Sequence, residues 1–235
     1  MNCITYLVSR ITHPGSDTRV KILFVDHADF LGGAEESLLA LLGALNREQY
    51  QPLLACADGV LADAAHAIGV QVVSLNMRRV RGLSRLPLAP FYLVRGVIAL
   101  MRVIRSERVA IVHTNTMRAT IYGALAARLT GAKFVWHVRD IHREGWYVRA
   151  MSRLADRIIA ISGAVAERIP QAQRAKLSVI PNGLDLSEFD PAAVDGRALR
   201  RELGIADDQL LIGNVGWLAP WKGQREFVQV AARIA

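Results

Sequence analysis

Lys21-Ile22-Leu23-Phe24-Val25-Asp26 leads, after five further residues, into Gly32-Gly33-Ala34-Glu35-Glu36, and this stretch decides the fold. Ile22 to Val25 is a short aliphatic and aromatic run, as expected of a strand buried on both faces of a parallel sheet. Gly32 and Gly33 permit a tight turn, and Ala34 to Leu45 then carries an amphipathic helical pattern. The first N–H groups of such a helix point outward without intrahelical partners, which suits a phosphate. The three-glycine dinucleotide fingerprint is absent, because Asp26 to Leu31 contains no glycine. Phosphate binding and an ordinary strand-to-helix turn both fit the local pattern. The same succession returns from Leu210 to Gln224, so the chain reads as one nucleotide-fold domain followed by the opening of a second.

Strand-like runs recur at Lys21 to Asp26, Gln51 to Ala57, Gln71 to Leu75, Val109 to His113, Lys133 to Val138, Arg157 to Ser162 and Leu177 to Ile180, with helical patterns between them. Such alternation implies right-handed crossovers and an α/β, doubly wound parallel sheet. Residues 1–20 read as a leader, 21–185 as the first domain, 186–209 as a linker with one short helix, and 210–235 as the start of a second domain whose strand begins at Leu210. Within the first domain, Pro87 to Ser106 predicts a helix with Phe91, Val94, Val97, Ile98, Met101 and Ile104 on its buried side and Arg95 and Arg102 opposite. Two arginines inside the apolar run argue for a helix packed on the sheet and against a membrane span.

At 235 residues and 52% apolar content the chain has ample material for a core. Cys3 and Cys56 are far apart and have no metal-ligand spacing, so neither a disulfide framework nor a zinc site is indicated, and a reducing cytoplasm is the default. The net charge of +8 is uneven: between Asp63 and Asp140 twelve Arg or Lys residues accompany one acid, Glu107. Such a patch suits anionic lipid or a phosphorylated substrate, and equally a solvated basic surface. Arg78, Arg79, Arg81 and Arg85, in a loop with Gly82 and Ser84, are placed to meet an anionic membrane surface. Nucleic acid is not read as a partner, because no stacking aromatics interleave the basic segment.

Chemistry in such a sheet belongs at the carboxyl ends of the strands. Three of these ends are polar: Asp26-His27 before the glycine pair, His113-Thr114-Asn115-Thr116, and Trp136-His137-Val138-Arg139-Asp140. Two histidines on neighbouring strand ends beside a phosphate-competent turn are a candidate site, against the plainer reading of hydrogen-bonded structural residues.

Gly32-Gly33-Ala34-Glu35, Val112-His113-Thr114-Asn115, His137, Ala155-Asp156-Arg157-Ile158-Ile159-Ala160-Ile161-Ser162, Val179-Ile180-Pro181-Asn182-Gly183-Leu184-Asp185, and Gly213 to Gly223 with Lys222 together resemble glycosyltransferase family 4, in the family's order. The resemblance implies a GT-B architecture of two Rossmann-like domains, the first holding the acceptor and the second the sugar nucleotide. It gives Gly32 and Gly33 the approach to the donor diphosphate and His137 a place at the mouth of the cleft, near donor sugar and acceptor. On the same resemblance Lys222 would neutralise the leaving diphosphate, and His113, Asn115 and Arg139 are expected to line the acceptor side or the cleft. No metal and no cofactor are implied, since amides and an ammonium suffice for the leaving charge. Trp217 stands where many members carry an arginine, removing one phosphate contact. The chain stops at Ala235, ahead of the family's paired glutamates and nucleotide-binding strands, so the second Rossmann-like domain is expected to be truncated, with Leu211, Val215, Phe227, Val228 and Ile234 partly exposed and no turnover by this piece alone.

The expected function is retaining transfer of a sugar from a nucleotide-sugar to a lipid-linked or saccharide acceptor in surface glycan synthesis, with possible peripheral contact at the inner face of the plasma membrane. A GT-B nucleotide-sugar epimerase and a non-catalytic α/β binding module are the alternatives.

Overall fold

The computed structural model describes residues 19–75, 77, 89–141, 145–184, 186 and 190–234. Most of the leader, and Arg78, Arg79, Arg81 and Arg85, lie outside the described residues. The chain divides into two compact units, Met1–Leu184 and Asp185–Ala235.

The first unit contains β1 (Val20–Val25), α1 (Gly33–Ala44), β2 (Tyr50–Cys56), α2 (Val60–Ala67), β3 (Gln71–Ser74), α3 (Ala89–Ser106), β4 (Ile111–Thr114), α4 (Met117–Thr130), β5 (Lys133–Val138), α5 (Gly145–Leu154), β6 (Arg157–Ala160), α6 (Gly163–Ala166) and β7 (Leu177–Val179). The seven strands form one parallel sheet in the order β3-β2-β1-β4-β5-β6-β7. Strand order reverses between β1 and β4, which pair with Phe24 opposite His113 and Val25 opposite Thr114. All seven strands fall where the sequence places them. β4 starts two residues later than expected, because the chain leaving α3 turns through Arg108 at φ 54° while Val109 N–H still donates to the Ile104 carbonyl.

Period-two alternation sorts the sheet into two cores. Leu23, Val25, Val112, Trp136 and Ile158 face one layer with Leu100 of α3, Tyr122 of α4 and Tyr147 of α5. Ile22, Phe24, Ile111, Val135 and Ile159 face the other, with Leu38 and Leu42 of α1 and Leu61 and Ala65 of α2. Helices therefore cover both faces, and the fold is the doubly wound α/β sheet expected.

Two expectations need correction. On α3 the buried line is Val97, Leu100 and Ile104, whereas Phe91, Val94 and Ile98 are exposed on the same outward face as Arg95 and Arg102. The apolar residues of this helix span more arc than the sheet covers, and Gly96, which a Cβ would drive into the Tyr122 ring, fixes the side that faces α4. In the second unit no strand forms at Leu210 to Val215. A strand needs ladder partners for its backbone groups, and no other strand lies in that unit among the described residues. The unit holds α7 (Gly196–Leu203), a 3-10 turn over Pro220–Lys222 and α8 (Gln224–Ile234). Neither α7 nor α8 buries a residue, and Val215, Val228 and Ile234 are exposed as expected.

Candidate functional site

The reversal of strand order falls between β1 and β4, and in open α/β sheets ligands bind at the carboxyl ends of the strands flanking such a reversal. Alternation decides which side chains meet there. Ile111, His113 and then Asn115 project to the α1 side from β4, as do Val135, His137 and then Arg139 from β5, while β1 delivers Phe24 and then Asp26. The ring of His113 rests on Phe24 with centroids 4.9 Å apart, and His137 meets His113 edge-on at 5.3 Å.

A continuous polar network joins these groups. Asp26, fully buried, accepts from the Ala28 N–H at 3.1 Å through Oδ1 and from Asn115 Nδ2 at 2.8 Å through Oδ2. Asn115 Nδ2 also donates to the Ala34 carbonyl at 3.1 Å, and its Oδ1 accepts from Arg139 Nε. A carboxylate only accepts and a guanidinium only donates, so the Asn115 amide has one possible orientation. Arg139 Nη1 donates to Asn182 Oδ1 at 2.9 Å, and Ser37 Oγ of α1 donates to the same oxygen at 3.1 Å. Arg139 Nη2 lies 3.5 Å from His137 Nδ1, which is 3.2 Å from His113 Nε2. His137 Nε2 is buried with no hydrogen-bond partner among the described residues.

Electrostatics follow from this burial. Desolvation, then the Arg139 charge, holds His113 far below the ordinary histidine value, and desolvation with His113 and Arg139 does the same for His137. Desolvation also lowers the Arg139 pKa, against the opposing pull of Asp26, Glu35 and Asp140. Glu35 is raised, first by burial and then by Asp26, while its Oε2 accepts the Gly32 N–H at 3.1 Å. That bond is one half of a capping box and fixes the glycine turn at the start of α1. The Cys56 thiol, buried near Asp26 and Asp58, is pushed up to about 12, which leaves it an inert core residue.

The structure thus gathers His113, Asn115, His137 and Arg139, and ties them to the glycine turn through Ala34. Gly32 is half-buried and Gly33 is exposed. His137 lies on the side of the sheet that carries this turn and is 9% exposed. Lys222 belongs to the second unit, exposed in its 3-10 turn, and Trp217 there accepts from Gln224 Nε2 at 2.7 Å through its carbonyl. Asp26, Glu35, Ser37 and Asn182 were not among the expected site residues. The signals were an acid closing a buried strand, a glutamate at the third position of a helix, and the Pro181-Asn182-Gly183 turn. The stretch at 155–162 braces the sheet, since Asp156 accepts from the Phe134 N–H at 2.9 Å and from Lys133 Nζ at 3.2 Å, at the end away from the site. Among the described residues no group of three or more His, Cys, Asp or Glu is placed to hold a metal.

The sequence model of Glycosyltransferase Family 4 matches residues 31–188, about two thirds of the chain. UDP-Gal:alpha-D-GlcNAc-diphosphoundecaprenol alpha-1,3-galactosyltransferase of Escherichia coli is 26% identical over 239 residues, covering 92% of this chain and 58% of its own length. D-inositol 3-phosphate glycosyltransferase of Actinosynnema mirum is 36% identical over 83 residues, 34% of this chain and 19% of its own length. Among solved structures, Anabaena HepE in complex with UDP and glucose superposes with a TM-score of 0.69 at 26% identity, over 92% of this chain and 59% of that one. The chain therefore spans a little under three fifths of the length of the E. coli and Anabaena relatives.

Proposed function

The chain belongs to glycosyltransferase family 4, and from that premise we propose that it forms the acceptor-side part of an enzyme that transfers a sugar, with retention, from a nucleotide-sugar to a lipid-linked or saccharide acceptor. The observation that carries the reading is the network from Asp26 through Asn115 and Arg139 to His137, built at the strand-order reversal beside the Gly32-Gly33 turn. The E. coli relative, named for a UDP-sugar and a diphosphoundecaprenol acceptor, supports a UDP-sugar donor and a lipid diphosphate acceptor. The UDP and glucose held by the Anabaena protein support the same donor class.

The chemistry is the breaking of the bond between the anomeric carbon and the diphosphate, with negative charge growing on the departing oxygen. Preorganised donors and cations stabilise such charge best where water is excluded. Gly33 offers its backbone N–H at the start of the 12-residue helix α1, beside a Gly32 N–H that Glu35 Oε2 already holds, and a cation for the leaving charge is the role expected of Lys222. His137 addresses an oxygen of donor sugar or acceptor, with Arg139 and Asn115 holding it in place. These groups meet the leaving charge without a metal.

A membrane-facing acceptor fits α3, whose outward face shows Phe91, Val94 and Ile98 among Arg95, Arg102 and Arg105 and carries no acid. No helix among the described residues is long and apolar enough to cross a membrane.

The deciding experiment supplies the intact protein that carries this chain with a panel of UDP- and GDP-sugars and polyprenyl diphosphate-linked acceptors, and identifies products by mass. Transfer to the acceptor is expected, with a loss of about a hundredfold or more in His137→Ala. Epimerised nucleotide-sugar would place the chain with the epimerases, and absence of any turnover would leave a binding module.

A further inference from the structure

We propose that Arg139 and His113 lock His137 in the neutral tautomer carrying its proton on Nε2, so that His137 serves its ligand as an N–H donor and not as a base. The family reading enters only in naming the ligand atom, an oxygen of the sugar nucleotide or acceptor. The tautomer follows from the chain itself.

A guanidinium has five N–H groups and no acceptor, so Nη2 of Arg139, 3.5 Å from His137 Nδ1 and thus at the long limit of a hydrogen bond, favours a lone pair there over a proton. His113 Nε2 approaches the same atom at 3.2 Å and must then be the donor, which places the His113 proton on its own Nε2. With Nδ1 of His137 accepting, its single proton belongs on Nε2, the buried atom without a partner. A ligand oxygen would satisfy it.

Groups facing the ring from every packed element favour the same state. His113 comes from β4 and Arg139 from the end of β5, while Asp26 after β1, Glu35 on α1 and Asp140 act on Arg139. Asp26 is committed to the Ala28 N–H and Asn115, and Glu35 to the Gly32 N–H. Among the described residues the ring therefore has no carboxylate partner of the kind that turns histidine into a base, and a permanent cation beside Nδ1 opposes a proton there. Burial opposes the imidazolium as well. Arg139 and His113 are positioning residues, and His137 is the one that touches the ligand.

The test is long-range nitrogen–proton NMR on the full chain labelled with 15N-histidine, between pH 5.5 and 8. Wild type is expected to show an accepting Nδ1 and a protonated Nε2 on His137, unchanged across that range. Arg139→Gln is expected to mix the two neutral tautomers, and Arg139→Lys, which restores a cationic donor, to return the ring toward the wild-type pattern. A proton on Nδ1 or an imidazolium in wild type overturns the proposal, as does an Arg139→Gln spectrum identical to wild type. The wild-type spectrum decides even if Arg139→Gln does not fold. In the intact enzyme, His137→Gln, which keeps an N–H donor, should retain turnover within about tenfold while His137→Leu falls about a hundredfold. Equal losses would overturn the donor role. An inactive wild type with the expected spectrum would count against the functional reading alone.

Discussion

Asp26 holds the site together at the level of single residues. Its carboxylate lies in the interior with both oxygens occupied, and it is a nearby negative charge for Arg139, itself only 9% exposed. A buried cation is tolerated only where such charge and hydrogen bonds surround it. The paired histidines add a pH dependence. Both have folded pKa values below the ordinary 6.5, so below that pH the unfolded chain takes up protons that the fold refuses. The stability tied to their neutrality is whole above pH 6.5 and is lost as pH falls toward the folded values, by up to about 1.4 kcal/mol per pH unit for each ring. Glu35, raised in the fold, works in the opposite direction and offsets part of this loss as pH falls through its folded value. Urea midpoints are therefore expected to drop steeply from pH 7 to 5, and His113→Gln to flatten that slope; an unchanged slope would assign it elsewhere. His113, Asn115, His137 and Arg139 were legible because alternate residues at a strand end share a face. Asp26 and Asn182 were not, since their partners lie 89 and 43 residues away and only the strand order brings them together.

Among the elements, α3 shows where periodicity falls short. Its spacing defined a helix, yet the arc that is buried depends on how closely α4 approaches, and that is set at Gly96 against Tyr122. A Cβ at position 96 would lie 2.8 Å from Tyr122 Cδ1 and closer still to Cε1, so Gly96→Ala forces the ring or the helix to move. Overpacking of this kind costs about 1–3 kcal/mol, to be read as a lower denaturation midpoint. The outward arc leads to a second expectation. Phe91, Val94 and Ile98, at 59%, 55% and 41% exposure, can enter a lipid headgroup layer while Arg95, Arg102 and Arg105 meet anionic lipid. Sedimentation with anionic vesicles should recover more protein than with neutral ones, less at high salt, and less again when the three apolar residues become Ser. Equal recovery from neutral and anionic vesicles would reduce this face to a solvated surface.

Across the molecule, the seven parallel strands were legible because each is a short apolar run between helical patterns. The second unit was less so: Leu210 to Val215 has strand composition but no ladder to join among the described residues, and composition alone does not supply neighbours. Amides of 196–234 are accordingly expected to exchange with solvent far faster than those of β1, β4 and β5, and comparable protection in both units would refute the contrast. The pairing of β1 with β4 has a kinetic side. Phe24 and His113 are 89 positions apart, and among the described residues two other strands and three helices intervene. During synthesis β1, β2 and β3 emerge well before β4, so the early half of the sheet waits with one edge of its central strand uncovered. Closing that long loop is the slow event that non-local parallel pairing imposes. The polar network spans this seam, so it is expected to form only once β4 has docked on β1, and a chain trapped before that closure would lack the site while keeping its early helices and strands.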